Sequence, residues 1–311
     1  MINIQSKIFI AGHRGMLGSS ILRIFKKKGY KNLITVDKKK LDLRNQLAVK
    51  NFLKKKKPHA VIIAAAKVGG IKANMKYPAN FINDNLQIQT NLISSSYENK
   101  VKKVILFGSS CIYPKDLKKP IKENQILTGA LEKTNESYSV AKIAGIQMIE
   151  AFNKQYKTKY VCLMPCNLFG PNDSYDLQNS HFLPALIKKI FDASKKSKNK
   201  VAKLWGTGKP LREVLYVDEV AEACIFYLKK KNISPLINIG SSIEMTIKDY
   251  AVKIKNKIDP TVSIKFDNNK KIDGVKRKKL DISLAKKNGW TSKMNFNIAL
   301  DKTIKDFKKN L

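Results

Sequence analysis

The sequence predicts an α/β protein built on a doubly wound parallel sheet, with a smaller, partly interleaved C-terminal part. Three observations carry this. Short apolar runs alternate with stretches of helical periodicity through the first half of the chain. A glycine string, Gly12-His13-Arg14-Gly15-Met16-Leu17-Gly18, follows the first run directly. Tyr138 stands four residues before Lys142 on a later helix-periodic segment, downstream of a strand end rich in hydroxyls. Alternation of this kind implies parallel strands, because each crossover uses a helix to return the chain.

Taken in order, Ile8-Phe9-Ile10-Ala11 is long enough for one buried strand, and Gly12 ends it. Helical periodicity follows over 16–28, where Leu17, Ile21, Leu22, Ile24 and Phe25 supply the apolar face. The same reading gives strands at 33–37, 60–65, 104–107 and 160–164, and helices at 46–56, 80–98 and 137–156. After Pro165 the rhythm loosens. Pro171, Asn172 and Asp173 mark a loop, 181–193 is helical, and 194–200 is a polar loop. A late strand at 236–239 precedes helices at 246–258 and 298–307. The expected division is a dinucleotide-binding domain over 1–165 and a mainly substrate-facing domain over 166–311, some of whose segments return to the first.

The motifs carry chemistry. A strand, a glycine turn and a helix start form a cradle in which free N–H groups meet a pyrophosphate. Tyr138 and Lys142 share a helix face. A free phenol has a pKa of about 10, and an adjacent ammonium lowers it. Tyr138 is therefore expected to exchange a proton with a carbonyl oxygen near neutral pH. In so lysine-rich a chain the pair is weak on its own, and its position supplies the weight. The run 104–107 ends in Gly108-Ser109-Ser110-Cys111-Ile112-Tyr113-Pro114, and the carboxyl ends of central parallel strands are where open α/β sheets bind ligands. Ser109 at that end can hydrogen-bond the same oxygen as Tyr138.

Composition sets bounds. The chain has 311 residues, 43% of them hydrophobic, enough for a full core. No apolar run approaches the roughly 20 residues that span a bilayer, and the glycine loop begins where a secretion signal would lie. Cys111, Cys162, Cys166 and Cys224 show no C-x-x-C spacing, so neither a disulfide framework nor a metal site is expected. A cytoplasmic protein with reduced thiols fits this usage. The net charge of +37 would ordinarily point to nucleic acid or an anionic membrane. The excess is nearly all lysine, however, spread in short clusters, whereas base-reading surfaces favour arginine. No specific nucleic-acid or membrane partner is expected.

The G-x-x-G-x-x-G spacing is typical of extended short-chain dehydrogenase/reductases, so the fold is expected to be Rossmann-type. Several segments resemble the GDP-L-fucose synthases in particular. They are Ala64-Ala65-Ala66-Lys67-Val68-Gly69-Gly70-Ile71, Gly108 to Lys115, Tyr138 to Gly145, Asn179-Ser180-His181, Trp205-Gly206-Thr207-Gly208 with Leu211-Arg212-Glu213, and Asn288-Gly289-Trp290. The resemblance runs nearly end to end. It implies conversion of GDP-4-keto-6-deoxy-D-mannose to GDP-L-fucose by epimerisation at C3 and C5 and NADPH-dependent reduction at C4. It implies Ser109, Tyr138 and Lys142 as the reductive triad, with Cys111 and His181 as the acid–base pair of epimerisation. It implies NADP(H) at Gly12, His13, Arg14, Gly15, Met16, Leu17, Gly18, Lys38, Phe107, Gly108, Ser109, Ser110, Lys142, Pro165, Cys166, Asn167, Leu168 and His181. It implies GDP-sugar contacts at Lys189, Trp205, Arg212 and Asp273, and a homodimer formed through long helices.

Two departures stand out. Cys166 replaces the family's usual threonine. The second strand ends Val36-Asp37-Lys38, where relatives usually carry an arginine and no acid. An acid at that place often binds a ribose 2′-hydroxyl and favours NAD, while Lys38 to Lys40 favour a 2′-phosphate; NADP(H) is the expectation. The competing readings are another extended nucleotide-sugar epimerase, reductase or dehydratase, and a non-catalytic cofactor or polyanion binder.

Overall fold

A computed structural model describes residues 2–115, 117–177, 180–270 and 273–311. Asn179, quoted above in one motif, lies outside them. The chain begins β1 (Ile8–Ala11), α1 (Met16–Lys27), β2 (Leu33–Ile34), α2 (Gln46–Lys56), β3 (Ala60–Ile63), α3 (Ile71–Lys76) and α4 (Pro78–Glu98). It continues with β4 (Lys103–Phe107), α5 (Glu136–Tyr156), β5 (Val161–Pro165), β6 (Asn167–Phe169), α6 (Phe182–Ser194), β7 (Val201–Leu204) and β8 (Leu211–Tyr216). It closes with α7 (Val217–Lys229), β9 (Leu236–Ile239), β10 (Glu244–Thr246), α8 (Ile247–Ile258), β11 (Ser263–Phe266), β12 (Arg277–Lys278), α9 (Ser283–Lys287) and α10 (Phe296–Lys309).

Six strands form one sheet in the order β2-β1-β3-β4-β5-β9, and every pairing in it is parallel. Each of β1, β3, β4, β5 and β9 is buried along its length, as strands covered on both faces must be. Helices α1 and α7 pack together, while α2, α4 and α5 pack in a separate row. The Rossmann-type doubly wound sheet is thus present. Its strand order reverses between β1 and β3, which opens a crevice at their carboxyl ends.

The expected second strand over 33–37 is cut to Leu33–Ile34. Past Ile34 the chain leaves the ladder, and Asp37 instead engages His13 and Arg14 through its carboxylate. Helix α4 starts at Pro78, two residues before the expected position, with the proline at its first turn where no N–H is needed.

A second core gathers Phe169, Leu186, Ile187, Tyr216, Tyr250, Leu300 and Phe307 around α6, α8, α10 and the short sheets of β6–β8, β10, β12 and β7–β11. The lobes interleave. β9, α7 and the Ala285–Trp290 region contribute to the first core although they follow the second lobe's first strands. Among the described residues, no helix is long and apolar enough to cross a membrane.

Candidate active site

The site begins at the first turn after β1. Gly12 has φ +85°, and a Cβ there would sit 2.6 Å from the Ala65 nitrogen. Only glycine lets β1 and β3 end so close together. Helix α1 then starts at Gly15 without a side-chain cap, so its first N–H groups are left for a ligand. Gly18 has a packing role: its added Cβ would fall on the Gly12 carbonyl and 2.8 Å from the His13 Cα.

A cavity of about 660 Å³ opens along this crevice. Gly12, His13, Arg14, Gly15, Met16, Leu17 and Lys38 line one end. Phe107, Gly108, Ser109, Ser110, Tyr138, Lys142, Pro165, Cys166, Asn167, Leu168 and His181 line the rest. The structure thus brings together every residue expected around a dinucleotide except Gly18, which supports the loop from behind.

At the sheet's centre, α5 is fastened to the end of β4 by successive side chains. Lys142, 3% exposed, donates from Nζ to the Phe107 carbonyl at 2.9 Å. Ser139 Oγ donates to the Cys111 carbonyl at 3.1 Å. The Cys111 thiol donates to Ser109 Oγ at 3.2 Å. Ser109 is thus tied to Cys111 and shares the cavity wall with Tyr138.

The expected effect of Lys142 on the phenol is corrected. Burial pushes the Tyr138 pKa up, the Cys111 thiol nearby adds to this, and the lowering influence is the Ser109 hydroxyl. The ammonium lies 5.8 Å from the Tyr138 ring centroid and is directed at a backbone carbonyl. Burial lowers its own pKa to about 8. Burial thus keeps the tyrosine a protonated phenol.

Cys111 lies off the large cavity, in a small adjoining one that it shares with Lys278, Glu132 and Arg277. Lys278 is the residue that sequence reasoning missed. β12 pairs with β8 so that Lys278 stands opposite Arg212, and its ammonium is within electrostatic reach of both the Cys111 thiol and the His181 ring. His181 is the cap residue of α6 and faces the large cavity. Its surroundings, and then Lys278, lower its pKa. One lysine among so many carries no motif; strand pairing alone reveals it.

The expected GDP-sugar contacts form a separate cluster beyond the cavity. Asp273 accepts from Thr207 N at 2.8 Å and Thr207 Oγ1 at 2.7 Å, closing the turn after Trp205. Arg212 donates to the carbonyls of Leu211, Val275 and Asp273, so part of its guanidinium fork is already engaged in holding the 273–275 loop. Burial lowers its pKa to about 10. The Lys189 ammonium lies 4.0 Å from the Trp205 ring centroid. Among the described residues, no group of three His, Cys, Asp or Glu side chains is placed to hold a metal ion.

A glycine cradle at a topological switch point, with Ser109 after the end of β4 and Tyr138 and Lys142 on α5 beside it, defines a nucleotide-dependent enzyme of the short-chain dehydrogenase type. The chain belongs to the NAD dependent epimerase/dehydratase family, whose model matches residues 8–240. It is 45% identical over 307 residues to GDP-L-fucose synthase 1 of Arabidopsis thaliana, covering 99% of this chain and 94% of that one. It is 39% identical over 315 residues to the GDP-L-fucose synthase of Escherichia coli, covering 98% of each. A GDP-mannoheptose C4 reductase from Campylobacter jejuni, solved with NADP bound, superposes with a TM-score of 0.90 at 33% identity, covering 99% of this chain and 100% of that one.

Proposed function

We propose that this chain converts GDP-4-keto-6-deoxy-D-mannose to GDP-L-fucose, epimerising C3 and C5 and then reducing the C4 ketone with NADPH. The observation that carries this is that a ketone-reducing pair, Ser109 and Tyr138, and the His181 imidazole line one cavity, with the Cys111 thiol hydrogen-bonded to Ser109 behind it. The near full-length identity to proteins named GDP-L-fucose synthase supports the substrate.

The cavity residues fit a dinucleotide. The glycine cradle and the open start of α1 would hold its pyrophosphate, and Pro165 to Leu168 would flank the nicotinamide end. Arg14 and Lys38 would meet a 2′-phosphate. Arg14 is presently paired with Asp37, through Nε at 2.6 Å, so a 2′-phosphate competes with that carboxylate. The neighbour solved with NADP supports the phosphorylated cofactor. NADPH, when bound, supplies the hydride for C4.

The chain's own groups do the rest. A C4 ketone acidifies the hydrogens on C3 and C5, because removing one places charge on O4. Ser109 and Tyr138 would hydrogen-bond that oxygen and stabilise the charge. Cys111 and His181 would move the protons, one taking each proton from carbon and the other, protonated, delivering its own proton to the opposite face. The Lys278 ammonium is within electrostatic reach of both Cys111 and His181, and burial, then Lys278, hold the His181 pKa below the ordinary imidazole value. On reduction, the protonated Tyr138 phenol gives its proton to O4. We further assign the chain to the cytoplasm, in keeping with four free thiols, and to a homodimer formed through α4 and α5, where Tyr97 and Tyr156 stack in the open at 4.1 Å.

Incubation with GDP-4-keto-6-deoxy-D-mannose and NADPH in heavy water tests the reading. The expected result is NADPH oxidation with deuterium at C3 and C5 of a GDP-fucose product. Oxidation without deuterium at those carbons would make the chain a C4 reductase alone. Deuterium without oxidation would make it an epimerase alone.

A further inference from the structure

Trp205 is 48% exposed, an unusual position for the largest side chain unless something covers it. Two ammonium groups converge on its ring. Lys189 of α6 reaches it from within the second lobe, with Nζ 4.0 Å from the centroid. Lys72 of α3 reaches it from the first lobe, with Nζ 4.4 Å from the same centroid. Charge accumulation elsewhere on this chain follows solvated faces, but here two cations from different lobes meet at one point. The Lys72 charge lowers the Lys189 pKa, after burial, while Asp267 opposes it. Among the described residues, neither ammonium has a carboxylate partner within ion-pair distance.

Cation–π attraction offsets part of this repulsion, at about 0.5–1 kcal/mol for an exposed pair, and leaves the two positive charges unneutralised. Both elements lead away from the large cavity. Val68, just before α3, and His181, the cap of α6, line its wall. Lys189 follows His181 by eight residues, or about 12 Å along a helix, the span of a hexose with a diphosphate at its anomeric carbon.

We propose that Lys72 is a substrate-binding residue whose ammonium joins Lys189 in gripping the diphosphate of the nucleotide-sugar over Trp205. This rests on the GDP-sugar reading above. The anion supplies the missing countercharge, and because the two lysines belong to different lobes, its binding ties the lobes together across the cleft. A charge-assisted contact of this kind corresponds to about a tenfold or larger change in affinity.

The test is a calorimetric titration of the full chain with GDP, guanosine and NADPH, in wild type, Lys72→Ala and Lys72→Arg. Lys72 is exposed, so its replacement leaves the core untouched. The expected result is GDP affinity lower by about tenfold in Lys72→Ala, largely restored in Lys72→Arg, with guanosine and NADPH affinities unchanged. Unchanged GDP affinity in Lys72→Ala would overturn the assignment while leaving the GDP-sugar reading intact. An equal loss for guanosine and GDP would also overturn it, placing Lys72 at the base rather than the diphosphate. Failure of the wild type to bind GDP would overturn the GDP-sugar reading, and the Lys72 assignment with it.

Discussion

Lys142 donates to the Phe107 carbonyl, and this changes what can be expected of Tyr138. A phenol held protonated by burial is a proton donor at every working pH, which is the state that reduction of a ketone requires. Tyr138→Phe should therefore lower C4 reduction by about 10²–10⁴-fold while GDP binding persists; normal NADPH turnover by the variant would contradict the role. Lys142 has its own titration. With a pKa of about 8, it is a cation below that pH and neutral above it. If it helps to hold the anionic cofactor, NADPH affinity should be level below pH 7 and fall as pH rises through about 8. In Lys142→Arg that fall should vanish from a fluorescence titration, since arginine stays charged. For Cys111→Ser, deuterium incorporation at C3 and C5 should drop far more than hydride transfer to a ketone already in its epimerised form. Equal losses would reduce the thiol to a packing role. The place of Ser109 was legible because it follows a strand that periodicity locates, and that of Tyr138 and Lys142 because they share one turn of a periodic helix. The direction of the Tyr138 shift was not, because i,i+4 spacing gives proximity of Cα atoms and says nothing of where an ammonium points.

Helix α1 and the glycine turn form a unit whose tolerance differs sharply along the loop. A methyl at Gly18 meets backbone, which cannot swing away, whereas at Gly15 the nearest atom is 3.7 Å off. Gly18→Ala should destabilise by about 1–3 kcal/mol, the usual range for overpacking, with a lower Tm in thermal unfolding. Gly15→Ala should unfold near the wild-type Tm. If both variants melted alike, the packing account of Gly18 would fail. Elements with strong periodicity, such as α1 and β4, lie within a residue or so of where the sequence places them. The ladder of β2 stopped early because side chains decide it: Asp37 is drawn to Arg14 and His13, a tertiary attraction that propensity does not encode. Lys72 and Lys278 were hidden for a related reason. Their significance lies in which distant residue they face, and a chain with this many lysines offers no contrast.

The two long helices α4 and α5 pack side by side, and the Gln89 amide of one donates to the Ala141 carbonyl of the other. Their outer face keeps Tyr97, Tyr156 and Val140 exposed. Light scattering should report a particle of twice the 35.2 kDa chain mass, and Tyr156→Asp should shift it towards the monomer. A wild-type monomer would rule out the pairing. Buried Glu213 links the lobes from within: it accepts from Ser242 N at 2.7 Å and Leu280 N at 3.0 Å, between the loop after β9 and the strand that carries Lys278. The sequence predicts that some segments of 166–311 return to the first part but does not name them; β9 and α7 are segments that pack in the first core. This interleaving also governs how such a protein can be recombined. An engineer wishing to transplant the sugar-recognising half onto another reductase finds no single cut that frees it. The splice must leave 217–239 with the recipient's sheet, rejoin the donor for β10 to β12, return to the recipient over 285–290, and rejoin the donor once more for α10. Redirecting substrate choice in this chain is therefore simpler by side-chain replacement at the cleft than by exchange of a whole cassette.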